Sequence, residues 1–244
     1  MTAGKRSETA PTTYYDLDHV ARHVQQGQHR EVIGGLWEEV GRLQRDFLVK
    51  QGLKPHHRLV DIGCGSLRGG VKFVAYLDAD RYFGIDLSGD LLEAGYAQEI
   101  VPAGLDAKLP RDHLSVSDSF DIGGFGVQFD MGIAQSVFSH LPMPYLVDCL
   151  ARIAPHFVPG GIFFVTCFLV PDGKFGQQVK QGKGGVVTFP DKDPYHYTQA
   201  QLSTALAGDP NWEMKIIGDW SHPRQQQMLA FARRVEARQL LGQG

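Results

Sequence analysis

The first quarter of the chain carries apolar residues at helical spacing. Residues 14–51 are helical in pattern, and over about 30–51 the apolar positions recur every three or four residues and mark one face. These positions are Ile33, Leu36, Trp37, Val40, Leu43, Phe47 and Leu48. Pro55 in "GLKPHH" then ends the helix. The pattern therefore predicts an N-terminal helical segment ahead of the rest of the chain.

Apolar runs typical of strands alternate with helical patterns between residues 58 and 170. The predicted strands are "RLVDI", "RYFGIDL", "HLSVSD", "FDMGIAQS" and "PGGIFFVTCFLV". The predicted helices between them are "LRGGVKFVAYL", 89–100 and "PYLVDCLARIAPHF". Such alternation is typical of a parallel sheet with helices on both of its faces.

The pattern changes after residue 170. Residues 171–195 are rich in Gly, Lys, Gln and Asp, which indicates a loop or small insertion that is too long for a tight connection. A helix over 198–207 and two strands, "WEMKIIGDW" and "QQMLAFARRV", come next. Because no helix separates these two strands, they predict a hairpin at the edge of the sheet.

Composition narrows the class of protein. The chain has 244 residues, 43% of them hydrophobic, which is enough for a substantial core. A net charge of −3 gives no broad basic surface for nucleic acid or an anionic membrane. The three cysteines include no C-x-x-C pair, so we expect neither a disulfide framework nor a metal site, and a cytoplasmic location. The polar start "MTAGKRSETAPTT" lacks an apolar signal region, and no stretch approaches the length of a membrane span.

A glycine-rich turn, "VDIGCGSLRGG", comes after the first predicted strand. The dinucleotide-binding pattern is G-x-G-x-x-G, but after Gly63 and Gly65 the third glycine does not fall in place. Asp61 would repel a pyrophosphate at this turn, because like charges would lie close together. The same carboxylate favours a cofactor that carries an amine and a sulfonium.

This turn, together with an acid at the end of the next strand (Asp86 in "YFGID"), resembles the class I S-adenosylmethionine-dependent methyltransferases. The resemblance covers roughly residues 58–234, with "SLRGG" as a departure from the usual third close glycine. It implies an α/β fold, a Rossmann-like doubly wound sheet of seven strands that is mostly parallel, with an antiparallel C-terminal strand and N-terminal helices. It also implies S-adenosyl-L-methionine as cofactor and S-adenosyl-L-homocysteine as product.

The resemblance further implies which residues contact the cofactor. The glycine turn would line its methionine and ribose, Asp86 would accept hydrogen bonds from both ribose hydroxyls, and Leu87 would cover the adenine. The segment after the third strand would contact the adenine edge. The backbone of the segment after the fourth strand would face the methionine end. The complete set is Asp61, Gly63, Cys64, Gly65, Asp86, Leu87, Asp118, Ser119, Phe120, Gln135 and Ser136.

The domain boundary is expected after residue 52. Residues 1–52 would form a mobile tail (1–12) and a helical lid, and residues 53–244 would form the methyltransferase domain with an insertion at about 171–195. In this family an N-terminal helical segment often covers the cofactor. His29, Arg30 and Trp37 lie in that segment, although core packing is the simpler explanation of its apolar face.

Methyl transfer to oxygen requires removal of the acceptor's proton, and a histidine suits this near neutral pH. Three histidines are candidates for the general base. His140 comes after the fourth strand, His196 closes the insertion, and His222 lies at the turn of the last hairpin. For each of them, a capping or surface role is the alternative.

The segment after the fourth strand narrows the acceptor class. Methyltransferases that act on amino groups of bases or of glutamine usually carry an Asn/Asp-Pro-Pro-aromatic motif there, whereas this chain reads "AQSVF". We therefore expect a small-molecule acceptor, methylated at oxygen, rather than nucleic acid. The alternatives are an NAD(P)-dependent oxidoreductase, disfavoured by the glycine spacing and Asp61, and a non-catalytic or RNA-binding module of the same fold. The sequence leaves the oligomeric state open.

Overall fold

The computed structural model describes residues 12–182 and 185–235, so the predicted tail lies outside the described residues except for Thr12. Three helices precede the sheet: α1 (Leu17–Gln25), α2 (His29–Val32) and α3 (Trp37–Lys50). The later helices are α4 (Gly70–Tyr76), α5 (Gly89–Gly95), α6 (Met143–Ile153) and α7 (Gln199–Ala205). No helix within the described ranges is both long and apolar enough to cross a membrane.

The strands alternate with these helices along the chain. In order they are β1 (Leu59–Ile62), β2 (Tyr82–Asp86), β3 (Leu114–Val116), β4 (Phe129–Ala134), β5 (Phe157–Leu169), β6 (Val179–Lys180), β7 (Val187–Thr188), β8 (His196–Tyr197), β9 (Trp212–Gly218) and β10 (Gln227–Arg233). The main sheet has the order β3-β2-β1-β4-β5-β10-β9. Strand β10 runs antiparallel to both neighbours, and β1 to β5 pair in parallel.

This arrangement confirms the predicted Rossmann-like α/β fold and its antiparallel C-terminal strand. It adds one short strand to the predicted seven, because β8 pairs in parallel with the end of β5. The predicted insertion contains β6 and β7, which form a small antiparallel pair of their own.

Apolar side chains fill both faces of the sheet. Neighbouring residues of β5 point to opposite faces, so Phe163 joins a core that includes Leu146 and Leu150 of α6, whereas Phe164 joins a core with Phe47 of α3. The α/β layering therefore results from strands that are apolar on both sides.

The N-terminal helical segment is broken where the sequence pattern suggested a continuous apolar face. Gly34 and Gly35 have φ values of +93° and +61°, and Leu36 has a φ of +50°, so the chain turns before α3 begins. Ile33 consequently lies outside α3 and faces the glycine turn, where its Cγ2 is 3.1 Å from the position a Cβ would take at Gly65. The single long face predicted for 30–51 was therefore wrong before residue 37, where α3 begins. Similarly, the helix predicted over 89–100 ends as α5 and continues as a π-helical turn over Tyr96–Ile100.

Candidate active site

The carboxyl ends of β1, β2 and β4 open into one cleft of about 1280 Å³, part of it open to solvent. The N-terminal segment covers this cleft through residues that include Thr12, Tyr14 and Leu36. Most of the residues singled out from the sequence line it: Asp61, Gly63, Cys64, Gly65, Asp86, Leu87, Asp118, Phe120, Gln135, Ser136, His140 and His222. Ser119 and His196 do not. The cleft lies where ligands bind in open α/β sheets.

Asp86 ends β2 at the centre of the cleft. Its Oδ2 accepts a hydrogen bond from the Gly65 amide at 2.8 Å, and its Oδ1 accepts one from the Ser88 amide at 2.9 Å. Burial raises the pKa of this carboxyl, and the backbone amides of Ser88 and Gly65 oppose that shift. Each carboxylate oxygen retains a further lone pair, so Asp86 can accept two hydroxyl groups while it holds the glycine turn in place.

The glycines of the turn are required by packing and by backbone conformation. Gly63 and Gly65 have φ values of +71° and +55°. A Cβ at Gly63 would lie 2.4 Å from Cγ2 of Val137. A β-branched substitution at Gly63 therefore disturbs the protein itself, so it cannot isolate the role of this turn in ligand binding. Cys64 is buried, and burial raises the pKa of its thiol, so it is a packing residue and not a nucleophile.

Asp61 is 3% exposed at the floor of the cleft. The Tyr82 hydroxyl donates a hydrogen bond to its Oδ2 at 2.9 Å. Burial raises the pKa of Asp61 to about 7; the Tyr82 hydrogen bond opposes the shift and the negative charge of Asp86 adds to it. A cationic group bound beside Asp61 would favour its ionised form.

The segment after β3 forms one end of the cleft. Asp118 is exposed on the cleft wall, and Phe120 is buried with a φ of +57°. The Phe120 ring lies 5.9 Å from that of Phe138, centroid to centroid. Ser119 lies outside the cleft lining, and its amide approaches the Ser117 hydroxyl at 3.4 Å.

The segment after β4 presents side chains to the cleft. The Ser136 amide donates to Oγ1 of Thr166 at 2.8 Å, and the Ser136 carbonyl accepts from the Ser139 hydroxyl at 2.8 Å. These backbone groups are therefore used inside the protein, which differs from the backbone contact implied by the resemblance. The buried Gln135 side chain lies beside them, and its Oε1 has no hydrogen-bond partner among the described residues.

His140 forms a close pair with an acid that the sequence did not single out. Its Nδ1 is 2.7 Å from Oδ1 of Asp193, in the insertion. The other oxygen of Asp193 accepts a hydrogen bond from the Thr12 hydroxyl at 2.7 Å. The Tyr14 ring meets the imidazole edge-on, with 4.9 Å between centroids. Three regions of the chain therefore meet at His140: the N-terminal segment, the loop after β4 and the insertion.

The region around β8 fixes the loop that carries His140. The Tyr195 amide donates to the Ser139 carbonyl at 2.7 Å, and the Tyr197 hydroxyl lies at the carbonyls of Phe138 and Leu141. Between these tyrosines, His196 is 1% exposed, and its Nδ1 is 2.8 Å from the Thr188 hydroxyl. Burial lowers the pKa of His196. His196 therefore packs beneath the insertion, away from the cleft in which it was a candidate base.

His222 lines the cleft, but its acceptor nitrogen is already occupied. The amides of Arg224 and Gln226 point at its Nδ1, at 3.3 and 3.4 Å. Its Nε2 lies 3.1 Å from the side-chain amide of Gln135. Burial, together with the smaller effect of the charges of Arg68 and Arg224, lowers the pKa of His222 to about 4. His222 is therefore neutral at pH 7, and both of its ring nitrogens have hydrogen-bonding neighbours within the protein.

An ion pair between the exposed Arg30 and the buried Glu99 attaches the N-terminal helices to the domain. Arg30 donates to Glu99 through Nε at 2.6 Å and Nη2 at 2.7 Å, and Nε2 of His29 lies 2.7 Å from the same carboxylate. The Arg30 guanidinium also lies 4.6 Å from the centre of the Trp37 ring. None of these side chains lines the cleft, so they attach the N-terminal helices to the domain without contributing to the wall of the cleft.

Comparison with solved structures supports the fold. The magnesium protoporphyrin IX methyltransferase from Synechocystis PCC 6803 with bound SAM is 15% identical; the match covers 95% of this chain and 100% of that one, with a TM-score of 0.60. The DhpI–SAH complex is 14% identical over 93% and 100% of the two chains, with a TM-score of 0.59. A putative O-methyltransferase from Nostoc punctiforme PCC 73102 is 14% identical over 92% and 70%, with a TM-score of 0.61.

A family comparison matches the central part of the chain. Residues 60–163, from β1 into β5, match the family described as "Methyltransferase domain". This stretch contains the glycine turn, Asp86 and the loop that carries His140, which are the parts that build the cleft. Within these residues the chain is therefore similar to a methyltransferase domain, in agreement with the resemblance carried by the glycine turn and Asp86.

Proposed function

We propose that this protein transfers the methyl group of S-adenosylmethionine to an oxygen atom of a small molecule, with His140 as general base. The observation that carries the proposal is the 2.7 Å contact between His140 and Asp193 at the cleft that contains Asp61 and Asp86. The cleft thus combines a cofactor cradle with an oriented imidazole.

The chemistry of the cleft fits this cofactor. Asp86 retains lone pairs for two ribose hydroxyls, and Asp61 provides an acid for the ammonium of the methionine portion. Phe120 and Leu87 supply apolar surface for the adenine. When bound, the cofactor supplies an electrophilic methyl group on a sulfonium. The protein then has to align the acceptor with that methyl group and manage the acceptor's proton.

Asp193 prepares His140 for this task. A carboxylate that accepts the Nδ1 proton fixes the tautomer and leaves the Nε2 lone pair available. No hydrogen bond from another described residue engages that Nε2. Nearby, burial and then the charge of Asp193 raise the pKa of Tyr14, so its phenol stays protonated near neutral pH and can donate a hydrogen bond to the acceptor.

The other candidate histidines fit the role of base less well. His196 is buried outside the cleft, so an acceptor cannot reach it. His222 lies in the cleft, but its low pKa and its two amide donors make it a weak proton acceptor. His140 alone among the three combines access to the cleft with an orienting carboxylate.

The cover over the cleft supports a small acceptor. Thr12 and Tyr14 reach across to Asp193 and His140, which narrows the entrance on the acceptor side. The names of two matched structures, a magnesium protoporphyrin IX methyltransferase and a putative O-methyltransferase, are consistent with this acceptor class.

Calorimetry tests the cofactor part of the proposal. We expect S-adenosylhomocysteine to bind the purified protein and NADH to give no heat of binding. Saturable binding of NADH, with no response to S-adenosylhomocysteine, would instead favour the oxidoreductase alternative.

A substrate screen tests the chemistry. Small hydroxyl-bearing and carboxyl-bearing compounds, with a structured RNA as a comparison, are incubated with the cofactor and scored by mass for the gain of one methyl group. With an acceptor in hand, His140→Ala should lower turnover by about 10²-fold or more, because a general base contributes about 10²–10⁴-fold. The affinity for S-adenosylhomocysteine should stay unchanged.

Matched variants separate catalysis from folding. Asp193→Asn should lower turnover less than His140→Ala, because the imidazole stays in place but loses its carboxylate partner. The exposed His56→Ala is the control and should keep full activity. Methylation of RNA alone, or a His140→Ala variant with normal turnover, would contradict the proposed acceptor class or base.

A further inference from the structure

Two guanidinium groups meet at one turn of the N-terminal cover. Arg68 lies just after the glycine turn, and its Nη1 donates to the carbonyls of Gly35 at 2.7 Å and Ile33 at 3.3 Å. Arg224 lies between β9 and β10, and its Nη2 donates to the carbonyl of Gly34 at 2.7 Å. Because these carbonyls belong to successive residues, the two positive charges lie close together. Both side chains line the cleft.

These charges are only partly matched by the protein. Arg68 is 9% exposed, and its Nε has no hydrogen-bond partner among the described residues. Neither arginine forms an ion pair with a carboxylate within the described ranges. Burial, and to a smaller extent the charge of Arg224, lowers the pKa of Arg68 to about 10, while Asp61 acts in the opposite direction. A buried charge in such a setting is costly unless an anion accompanies it.

We propose that Arg68 and Arg224 form a carboxylate-binding site within the cleft. A planar guanidinium matches a carboxylate through paired N–H donors, and each group uses only one of its nitrogens on the backbone. The inference rests on the proposed function and extends it, since two carboxylates can arrive here. One is the carboxylate of the cofactor's amino-acid end, whose ammonium would lie at Asp61. The other is an acid group of the acceptor.

The competing explanation is that the arginines only anchor the 33–35 turn. The two roles use different N–H groups, so they can be separated. To anchor the turn, a side chain needs only to be long enough to donate a hydrogen bond to its carbonyls. To bind a carboxylate, the side chain also needs a positive charge. Arg224 is the better test position because it is half-buried, so a substitution there is tolerated more easily than one at Arg68.

The experiment compares two nucleosides that differ at the amino-acid end. S-adenosylhomocysteine carries the carboxylate, and 5′-deoxy-5′-methylthioadenosine lacks it. Both are titrated by calorimetry into wild type, Arg224→Gln, Arg224→Lys and Arg68→Gln. Arg42→Gln is the control, because Arg42 is exposed and pairs only along its own helix. Circular dichroism verifies that each variant is folded.

If the site holds the cofactor's carboxylate, Arg224→Gln and Arg68→Gln should weaken the affinity for S-adenosylhomocysteine by about tenfold to hundredfold and leave the affinity for methylthioadenosine unchanged. Arg224→Lys keeps the charge, so its affinity for S-adenosylhomocysteine should fall less. If the substitutions do not change the affinity for S-adenosylhomocysteine, benzoate is the second probe. Benzoate should then raise the melting temperature of the S-adenosylhomocysteine complex of wild type but not that of Arg224→Gln. This result would assign the site to an acid group of the acceptor.

Two outcomes overturn the inference. One is that the charge-removing variants change neither S-adenosylhomocysteine affinity nor benzoate stabilisation. The other is that both nucleosides weaken equally in Arg224→Gln and Arg224→Lys, which indicates an anchor for the turn. Failure of wild type to bind either nucleoside would instead count against the proposed function itself.

Discussion

At the scale of single residues, the cleft is organised by charge. Asp61 and Asp86 provide negative groups on the floor, whereas Arg68 and Arg224 provide positive groups at the cover. Under the proposals above, a ligand with a ribose, an ammonium and a carboxylate would have a partner for each of these groups. This complementarity explains why an acid before the glycine turn is compatible with the cofactor, although it would oppose a pyrophosphate.

Replacing Asp86 tests its contact with ribose. Asp86→Ala removes an acceptor of charge-assisted hydrogen bonds and should weaken S-adenosylhomocysteine by about 1.5–3 kcal/mol, or roughly tenfold to more than a hundredfold in Kd. Calorimetry measures the loss, with the exposed Asp90→Ala as control. Since the Gly65 amide also depends on Asp86, the melting temperature of the free variant is measured in parallel. Wild-type affinity in a folded Asp86→Ala variant would remove Asp86 from the cofactor site.

The raised pKa of Asp61, about 7, makes cofactor affinity depend on pH. A ligand ammonium favours the ionised carboxylate, so the pKa is lower in the complex than in the free protein. Below pH 7, binding must therefore displace a proton, and the affinity for S-adenosylhomocysteine should fall as the pH falls, by at most about tenfold per pH unit. Above pH 7 the carboxylate is already ionised, and this dependence should disappear.

The Asp61→Asn variant provides the matched comparison for that pH dependence. The asparagine side chain carries no titratable group. The variant's affinity for S-adenosylhomocysteine should therefore be weaker than that of wild type near pH 7.5 and stay constant down to about pH 5.5. Calorimetry across this range gives both curves. Parallel curves for wild type and variant would mean that Asp61 does not titrate on binding.

At the scale of elements, the glycine turn and the N-terminal helices depend on each other. Ile33 packs against Gly65, and the 33–35 carbonyls accept hydrogen bonds from both arginines. The contacts that hold the helices include this turn, Glu99 and the Glu38–Lys72 pair between α3 and α4. We propose that the helices act as a lid over the bound cofactor, because the 33–35 turn contacts the glycine turn at Gly65 directly.

The Glu99 contact sets how firmly the lid is held. Burial disfavours the ionised carboxylate, but hydrogen bonds from Arg30 and His29 outweigh it and hold the pKa of Glu99 below its ordinary value. Glu99→Gln removes the charge and should destabilise the attachment by about 1–3 kcal/mol. Hydrogen exchange across residues 17–32 should then become faster.

Asp148→Asn serves as the control for this change, since it removes an ion pair along α6 and leaves the Glu99 contact intact. S-adenosylhomocysteine should slow exchange in the same residues of wild type, as expected of a lid that closes over a ligand. If neither the Glu99 substitution nor the ligand changes the rate of hydrogen exchange in residues 17–32, these helices are a fixed part of the fold and not a lid.

At the scale of the whole molecule, the acceptor side of the cleft is assembled from distant parts of the chain. Thr12, His140 and Asp193 form one chain of contacts, although 53 residues separate His140 from Asp193 and 181 separate Thr12 from Asp193. A ligand that bridges the floor and the cover should therefore stabilise the fold as a unit.

Binding of a ligand to the folded protein alone predicts a thermal shift. S-adenosylhomocysteine at about 100 times its Kd should add about 2.7 kcal/mol to the free energy of unfolding and raise Tm by about 5–10 °C for a domain of this size. Scanning fluorimetry measures the shift, and NADH at the same concentration should cause none. Equal shifts with both ligands would point to a less selective nucleotide site.

The sequence by itself determined the α/β alternation and the glycine turn, and Asp61 and Asp86 predict the cofactor class. These features are local: strand and helix periodicity extends over neighbouring residues, and the turn and its acids are separated by short stretches of chain. The break at Gly34 and Gly35 was missed because the apolar spacing continued through it, while the backbone there adopts positive φ values that the spacing does not report.

Only the tertiary structure distinguished the three histidines and revealed their partners. The fold placed His196 under the insertion, directed the Nδ1 of His222 at backbone amides, and paired His140 with Asp193. The two arginines likewise meet only because the β9–β10 connection folds back over the N-terminal turn. Burial and contacts between distant residues decide protonation and access, and neither property is encoded in the spacing of residues along the chain.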